Sequence, residues 1–141
     1  MDPPFPQKKC LVSACLVGLC TRYDGQCKPD SRCLQQLAGI HWIPVCPEQL
    51  GGLPTPRTAA DLTGGDGHDV LAHRASVVDQ NGRDVSPAFI LGARQVLAIA
   101  RAQQIEHAIL KARSPSCGLQ NRVGVTAALL LTHGIHCHEF G

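Results

Sequence analysis

The sequence predicts an α/β fold in which helices enclose a mainly parallel sheet. Short apolar, β-rich runs alternate with segments of helical periodicity, and this alternation is typical of parallel sheets. Apolar residues make up 44% of the 141 residues but aromatic residues only 4%, so the core is expected to be aliphatic. This length fits one domain. We therefore expect a single domain over residues 1–141, with the proline-rich residues 1–8 as a loose N-terminal arm.

The first half of the chain contains two predicted strands and one short helix. Residues 9–16 form an apolar, β-rich run, and His41–Val45 forms a second. Between them, Asp30 or Ser31 is expected to cap a helix through Leu37. The following residues 46–61 are dense in Pro and Gly and predict a loop. A loop of this length without secondary structure is usually functional.

A small β-hairpin and the main helix follow. Asn81-Gly82 favours a tight turn with positive φ, so residues 69–78 and 83–85 are predicted to pair around it. Ser86 is a candidate N-cap, with Pro87 at the first helical position. Apolar residues then recur at helical spacing, which predicts an amphipathic helix to about residue 104.

The C-terminal part repeats the alternation of strand and helix. Residues 105–110 predict a strand, residues 111–122 a loop, residues 126–132 a helix and residues 135–140 a last strand. Gly134 marks the end of the helix. The complete order of elements predicts a single-domain sandwich that is Rossmann-like, with the small β-hairpin added to it.

Charge and cysteine content narrow the class of protein. A net charge of +2 with 17% charged residues is too weak and too mixed to predict binding to duplex nucleic acid or a membrane surface. The eight cysteines invite a disulfide framework, but residues 1–9 lack the apolar core of a signal peptide. We expect a cytoplasmic protein with reduced thiols, as a monomer or small homo-oligomer that binds a small molecule.

Three cysteines lie at, or just past, the carboxyl ends of predicted strands: Cys15, Cys46 and Cys117. In open α/β sheets ligands bind at this edge, so we expect the three thiols to converge. An iron–sulfur cluster normally takes four thiolates, whereas zinc can use three protein ligands and keep one position open. The spacing does not decide between cluster, zinc and apolar core cysteines, since the chain has no C-x-x-C pair.

The other five cysteines have different expected roles. Cys10, Cys33 and Cys137 fall on predicted strands or a helix, which favours core filling. Cys20 and Cys27 flank the first loop. They are candidates for spare ligands or for a redox pair, and the latter leaves a thiol oxidoreductase as a further hypothesis.

Polar residues accompany the cysteine triplet. Glu48 lies two residues past Cys46, and Ser114 and Ser116 flank Pro115 just before Cys117. A carboxylate and hydroxyls beside a Lewis-acidic metal suit proton transfer to or from a substrate. A solvated loop carboxylate and serines in a turn are equally compatible with this pattern.

Charged loop residues form a third group. Arg22, Asp24, Arg57 and Lys111 all lie in predicted loops. If these loops share an edge with the cysteines, they are candidates for holding an anionic substrate such as a nucleotide phosphate. The chain contains neither a Walker loop nor GxGxxG, and solvated surface charge explains the pattern equally well.

Six strings occur in order between residues 11 and 140: LVSACL, RYDG, PVCPE, GGLPTPR, KARSPSCG and GVTAALL. Together they resemble the thiouracil desulfidase family in its short, single-domain form. The resemblance implies a [4Fe-4S] cluster held by three cysteines only, which correspond here to Cys15, Cys46 and Cys117. It also implies that the open iron binds the sulfur of 4-thiouracil or of 4-thiouridine monophosphate.

The resemblance further implies a hydrolytic, non-redox reaction that releases uracil or UMP and hydrogen sulfide. Glu48 with Ser114 or Ser116 would then handle protons, with Ser114 slightly favoured. The alternative is a non-catalytic iron–sulfur or zinc binding module, for example a redox sensor.

Overall fold

The computed structural model describes residues 8–141. The predicted N-terminal arm, residues 1–8, lies outside the described residues except for Lys8. The strands are β1 (Lys9–Ser13), β2 (His41–Val45), β3 (Ala60–Thr63), β4 (Ser76–Asp79), β5 (His107–Lys111) and β6 (His136–Phe140). The helices are α1 (Ser31–Gln36), α2 (Pro47–Leu50), α3 (Gly67–Leu71), α4 (Ser86–Ala102) and α5 (Val125–Thr132). A 3₁₀ turn, Ala14–Val17, follows β1 directly.

The main sheet has the order β2-β1-β5-β6, and all its strands are parallel. Ser13 at the end of β1 pairs with Val45 at the end of β2, while Val12 pairs with Ile109 of β5. The carboxyl ends of these three strands are therefore level. Pro44 is tolerated in β2 because this strand lies at the edge of the sheet.

Helices cover both faces of this sheet, so the predicted sandwich is confirmed. Along β1, Leu11 packs with α4 and α5, whereas Cys10 and Val12 pack with α1 on the opposite face, as the two-residue period of a strand requires. Cys10 and Cys33 are buried in that second cluster, which confirms their predicted role in the core. No helix within residues 8–141 has the length and apolar character that a bilayer span needs.

The predicted β-hairpin is present but very short. Residues 83–85 return along β4: Val78 and Asp84 form an antiparallel bridge, Asp79 N donates to Arg83 O at 2.9 Å, and Val85 N donates to Val77 O at 2.8 Å. The longer antiparallel partner of β4 is β3, which the sequence does not predict. Leu62 of β3 packs against Val77 in a separate apolar cluster. Gly82 does have positive φ, at 81°.

Ser86 is not the N-cap of α4. Val85 occupies that position without a side-chain cap. The Ser86 hydroxyl accepts a hydrogen bond from Val77 N at 2.8 Å, and Ser86 N donates to Asp84 Oδ1 at 2.9 Å. Ser86 thus attaches the antiparallel pair to the start of the main helix.

Two short helices replace predicted loop or strand. Residues 46–61 contain α2, which begins directly after Cys46 with Pro47 in its first turn, where the fixed φ of proline is compatible with a helix. Residues 69–78 begin within α3, whose Asp66 and Asp69 form a capping box. In both segments, residues dense in Pro, Gly and Asp mark helix starts rather than helix breaks.

The backbones of α2 and α4 come into direct contact at two glycines, Gly51 and Gly92. A Cβ at Gly92 would overlap the carbonyl oxygen of Pro47 and lie 2.8 Å from its carbonyl carbon. A Cβ at Gly51 would likewise overlap the carbonyl oxygen of Ala88. This contact fixes the orientation of α2 and with it the side chains of its first turn.

We expect Gly92→Ala to lower the free energy of unfolding by about 1–3 kcal/mol, the usual cost of overpacking. The gain in helix propensity from Gly to Ala, roughly 1 kcal/mol, does not offset a backbone collision. Leu91→Ala, at a 48% exposed position of the same helix, should change stability by no more than about 0.5 kcal/mol. Urea denaturation of both variants checks this, and equal midpoints would contradict the close crossing.

Candidate functional site

The three predicted cysteines meet at one edge of the main sheet. Cys15 lies in the 3₁₀ turn after β1, Cys46 directly follows β2, and Cys117 lies in the loop after β5. These strands are neighbours with level carboxyl ends. All three cysteines line a single cavity of about 280 Å³.

The loop that carries Cys117 is held by its own polar groups. The Ser114 hydroxyl accepts hydrogen bonds from the backbone N–H groups of Ser116 and Cys117, both at 3.1 Å. The first turn of α5 adds a bond from Val125 N to Pro115 O at 2.9 Å. A Cβ at Gly124 would lie 2.7 Å from Cys117 N, so this loop packs directly on the helix start.

Burial governs the protonation of the thiols. Burial raises the pKa of the Cys117 thiol to about 12, with the Ser13 hydroxyl acting in the opposite direction. Burial also raises the pKa of Cys15, against the charges of Lys111 and Arg22, which lower it. For Cys15 and Cys117 the neutral thiol is therefore favoured in the absence of a bound cation, and binding of a metal group requires their deprotonation.

The donors around the cavity fit an iron–sulfur cluster better than a single metal ion. Among the described residues, no three His, Cys, Asp or Glu side chains are close enough to hold one metal ion. Zinc needs its thiolates at about 2.3 Å from one centre. The thiolates of an iron–sulfur cluster bind different irons and are spaced more widely. Three free thiols around one cavity fit the donor set of a cluster.

Glu48 projects from the first turn of α2 and lines the same cavity. Its Oε1 accepts a hydrogen bond from Arg57 Nε at 3.0 Å, and its Oε2 accepts one from the Ser116 hydroxyl at 3.4 Å. Ser114 belongs to the cavity wall, whereas Ser116 is 1% exposed and does not line the cavity. The structure thus places Ser114 at the cavity and Ser116 against the Glu48 carboxylate.

The predicted basic residues divide into two kinds. Arg22 and Lys111 line the cavity, and burial lowers the pKa of Lys111. Arg22 pairs with Asp24 at 3.3 Å, and Asp24 does not itself line the cavity. Arg57 also lines the cavity, but its side chain is only 6% exposed and pairs with Glu48.

Cys20 and Cys27 form a disulfide, which differs from the expected reduced thiols. Their Cα atoms are 4.5 Å apart, within the usual range for a disulfide. The bond closes a loop whose Thr21, Arg22 and Tyr23 line the cavity. In this form neither sulfur is available as a spare ligand.

Among the cavity-lining residues that sequence reasoning did not assign to the site are Ser13 and Thr21. The Ser13 hydroxyl accepts a hydrogen bond from Lys111 N at 2.9 Å and so joins β1 to the end of β5. The carbonyl oxygen of Thr21 accepts a hydrogen bond from Arg57. Ser13 could have been found from its place at the end of the first strand; Thr21 acts through its backbone, which leaves no signal in the sequence.

Comparison with known proteins identifies relatives of this chain. The chain is 38% identical over 136 residues to the uncharacterized protein YbbK of Bacillus subtilis (strain 168), a match that covers 88% of this chain and 90% of YbbK. The solved structure of the [4Fe-4S]-dependent thiouracil desulfidase TudS superposes with a TM-score of 0.80 and 39% identity. That match covers 94% of this chain and 91% of the TudS chain. Residues 10–139 match the model of the 2-thiouracil desulfurase family, and the chain therefore belongs to this family.

Proposed function

We propose that this protein is a [4Fe-4S]-dependent desulfidase that removes sulfur from a thiolated uracil by hydrolysis. Its substrates would be 4-thiouracil or 4-thiouridine monophosphate, and its products uracil or UMP and hydrogen sulfide. The observation that carries the proposal is the meeting of three free thiols and a carboxylate on one cavity, in a chain of this family. The likeness to TudS supports the choice of cofactor.

Cys15, Cys46 and Cys117 are the proposed ligands of the cluster. They are the free cysteines that line the cavity, whereas Cys20 and Cys27 are joined to each other. When bound by three thiolates, the cluster supplies one iron without a protein ligand, a Lewis acid suited to the soft sulfur of a thiocarbonyl. Because no fourth free cysteine within residues 8–141 lines the cavity, that position stays open to substrate.

The protein's own groups would handle the protons. Hydrolysis exchanges the sulfur of a C=S group for the oxygen of water and transfers both protons of the water to sulfur. Glu48, whose carboxylate faces the cavity, would accept a proton from the attacking water and return it to the leaving sulfur. The Ser114 hydroxyl lines the same wall and can relay a proton, while Ser116 would hold Glu48 in place.

Arg22 and Lys111 are the proposed partners of a substrate phosphate, with Asp24 orienting Arg22. We expect Lys111→Met to raise KM for 4-thiouridine monophosphate about 10- to 100-fold, since a hydrogen bond to a charged group contributes roughly 1.5–3 kcal/mol. KM for free 4-thiouracil should change less than about twofold, because the base has no phosphate. Steady-state kinetics with both compounds check this prediction.

The matched control is Lys9→Met, at the amino end of β1 on the opposite edge of the sheet. Its kinetics should equal those of the wild type for both substrates. An equal rise of KM for base and nucleotide in Lys111→Met would contradict the phosphate role and leave the desulfidase proposal intact.

The function itself is tested by anaerobic reconstitution of the cluster followed by incubation with each thiolated compound. We expect one sulfide released per uracil or UMP formed, with loss of the thiocarbonyl absorbance. Protein without reconstituted cluster serves as the control and should be inactive. A brown, fully loaded protein that releases no sulfide would instead be a non-catalytic iron–sulfur module.

A further inference from the structure

The Arg57 side chain is a charged group in an almost closed environment. Its exposed fraction is 6%, although it lies in the cavity wall. A buried charge costs several kcal/mol unless it is paired and its hydrogen-bonding groups are satisfied. The hydrogen-bond partners of the Arg57 guanidinium therefore indicate the role of this residue.

Every N–H of this guanidinium has an acceptor within the protein. Arginine carries five N–H groups. Nε donates to Glu48 Oε1 at 3.0 Å, and Nη1 donates to Pro54 O at 3.2 Å and to Thr55 Oγ1 at 2.8 Å. Nη2 donates to Thr21 O at 2.8 Å and faces Cys46 Sγ at 3.9 Å. No strong donor is left over for a substrate anion.

These contacts join three segments around the cavity. Glu48 belongs to α2, Thr21 to the loop closed by Cys20 and Cys27, and Thr55 to the loop before β3. The backbone N–H of Arg57 also donates to Tyr23 O at 2.8 Å. Arg57 thus connects the Glu48 carboxylate with the two loops on either side of it.

We propose that Arg57 is a positioning residue, which sets the orientation of the Glu48 carboxylate and does not bind substrate. This inference rests on the proposed function, and it reassigns a residue predicted from sequence to bind substrate. Arg57 holds Oε1 while Ser116 holds Oε2, so the carboxylate is fixed from two sides. The remaining lone pairs of its oxygens are left for water or substrate.

The test uses Arg57→Lys in the cluster-loaded protein, which keeps the charge but loses the planar fork that reaches several acceptors at once. We expect kcat to fall on the order of 10²-fold, because small displacements of a catalytic group have effects of this size. KM for 4-thiouracil and for 4-thiouridine monophosphate should each change less than about threefold. Iron content per chain should equal that of the wild type.

Two further measurements separate positioning from a general structural role. Arg57→Ala should recover part of its lost kcat when guanidinium ion is added, whereas the matched control Arg122→Lys should keep wild-type kcat. Arg122 forms an exposed pair with Asp61 at 3.7 Å and does not line the cavity. A rise of KM for the nucleotide alone in Arg57→Lys would overturn the proposal, as would an unchanged kcat.

An outcome that does not depend on turnover separates this inference from the proposed function. In a double-mutant cycle of Arg57→Ala and Glu48→Ala, each of which removes the contact, the shifts in urea midpoint should be non-additive if the two side chains hold each other. Additive shifts would overturn the inference even in an active enzyme. Non-additive shifts in a protein that releases no sulfide would overturn the proposed function instead and leave Arg57 as the partner of Glu48.

Discussion

A Cys46→Ser variant should lose both its cluster and its sulfide release. Cys46 is one of three free thiols on the cavity, and a serine hydroxyl is a poor ligand for iron–sulfur clusters, which take thiolates. Changes in the residues that merely support a metal ligand typically reduce metal affinity or activity 10–100-fold, so loss of a ligand should reduce activity by on the order of 10²-fold or more. Cys15→Ser and Cys117→Ser should behave alike.

The loss of the cluster can be measured without any substrate. The measurements are iron and acid-labile sulfide per chain and the visible absorbance of the reconstituted protein. Cys137→Ala is the matched control, since Cys137 is a free, half-buried cysteine on β6 and does not line the cavity. It should keep the full cluster and full activity. If Cys46→Ser retained wild-type iron and turnover, the three-ligand assignment would be wrong.

The group of residues at the carboxyl ends of the strands could be predicted from sequence because the signals there are local. β2 is predicted with its observed bounds, and the run that contains β1 is recognisable from its apolar, β-branched residues. Once parallel strands are expected, the carboxyl-edge rule places Cys15, Cys46 and Cys117 on one side. The convergence of these residues therefore needs no knowledge of the loops between them.

The antiparallel pair could not be predicted in the same way. β3 is four residues long and follows a segment rich in Pro and Gly, and its partner β4 is separated from it by α3. Its place depends on Leu62 packing against Val77 and Phe89, which are distant in sequence. The local turn at Asn81-Gly82 forms as predicted and pairs residues 83–85 with β4, whereas long-range packing adds β3 as the second partner of β4.

The candidate site shows the same division between local and long-range signals. Glu48 beside Cys46 is suggested by proximity in sequence, whereas the contact between Ser116 and Glu48 joins residues 68 positions apart. Arg57 is predicted as a substrate-binding cation because its charge is visible in the sequence and its burial is not. Five acceptors, two of them backbone carbonyls, define its environment. Residue type therefore indicates the available chemistry, and only the fold assigns the partner.

We expect Glu48→Gln to lower kcat for sulfide release by about 10²–10⁴-fold, the usual contribution of a positioned general acid or base. Glutamine has nearly the same shape, and its amide oxygen can still accept from Arg57, so the cavity wall should persist. The amide cannot take up a proton as the carboxylate does. The loss should therefore appear in kcat, with KM changed only a few-fold and iron content unchanged.

The matched control for this variant is Glu106→Gln, an exposed carboxylate just before β5 at the opposite edge of the sheet. It should show wild-type kcat, which separates the position of Glu48 from a general loss of negative charge. If Glu48→Gln kept more than half of the wild-type kcat with a full cluster, Glu48 would not be the proton-transferring group. Ser114, the hydroxyl that shares the cavity wall, would then be the remaining candidate, because Ser116 does not line the cavity.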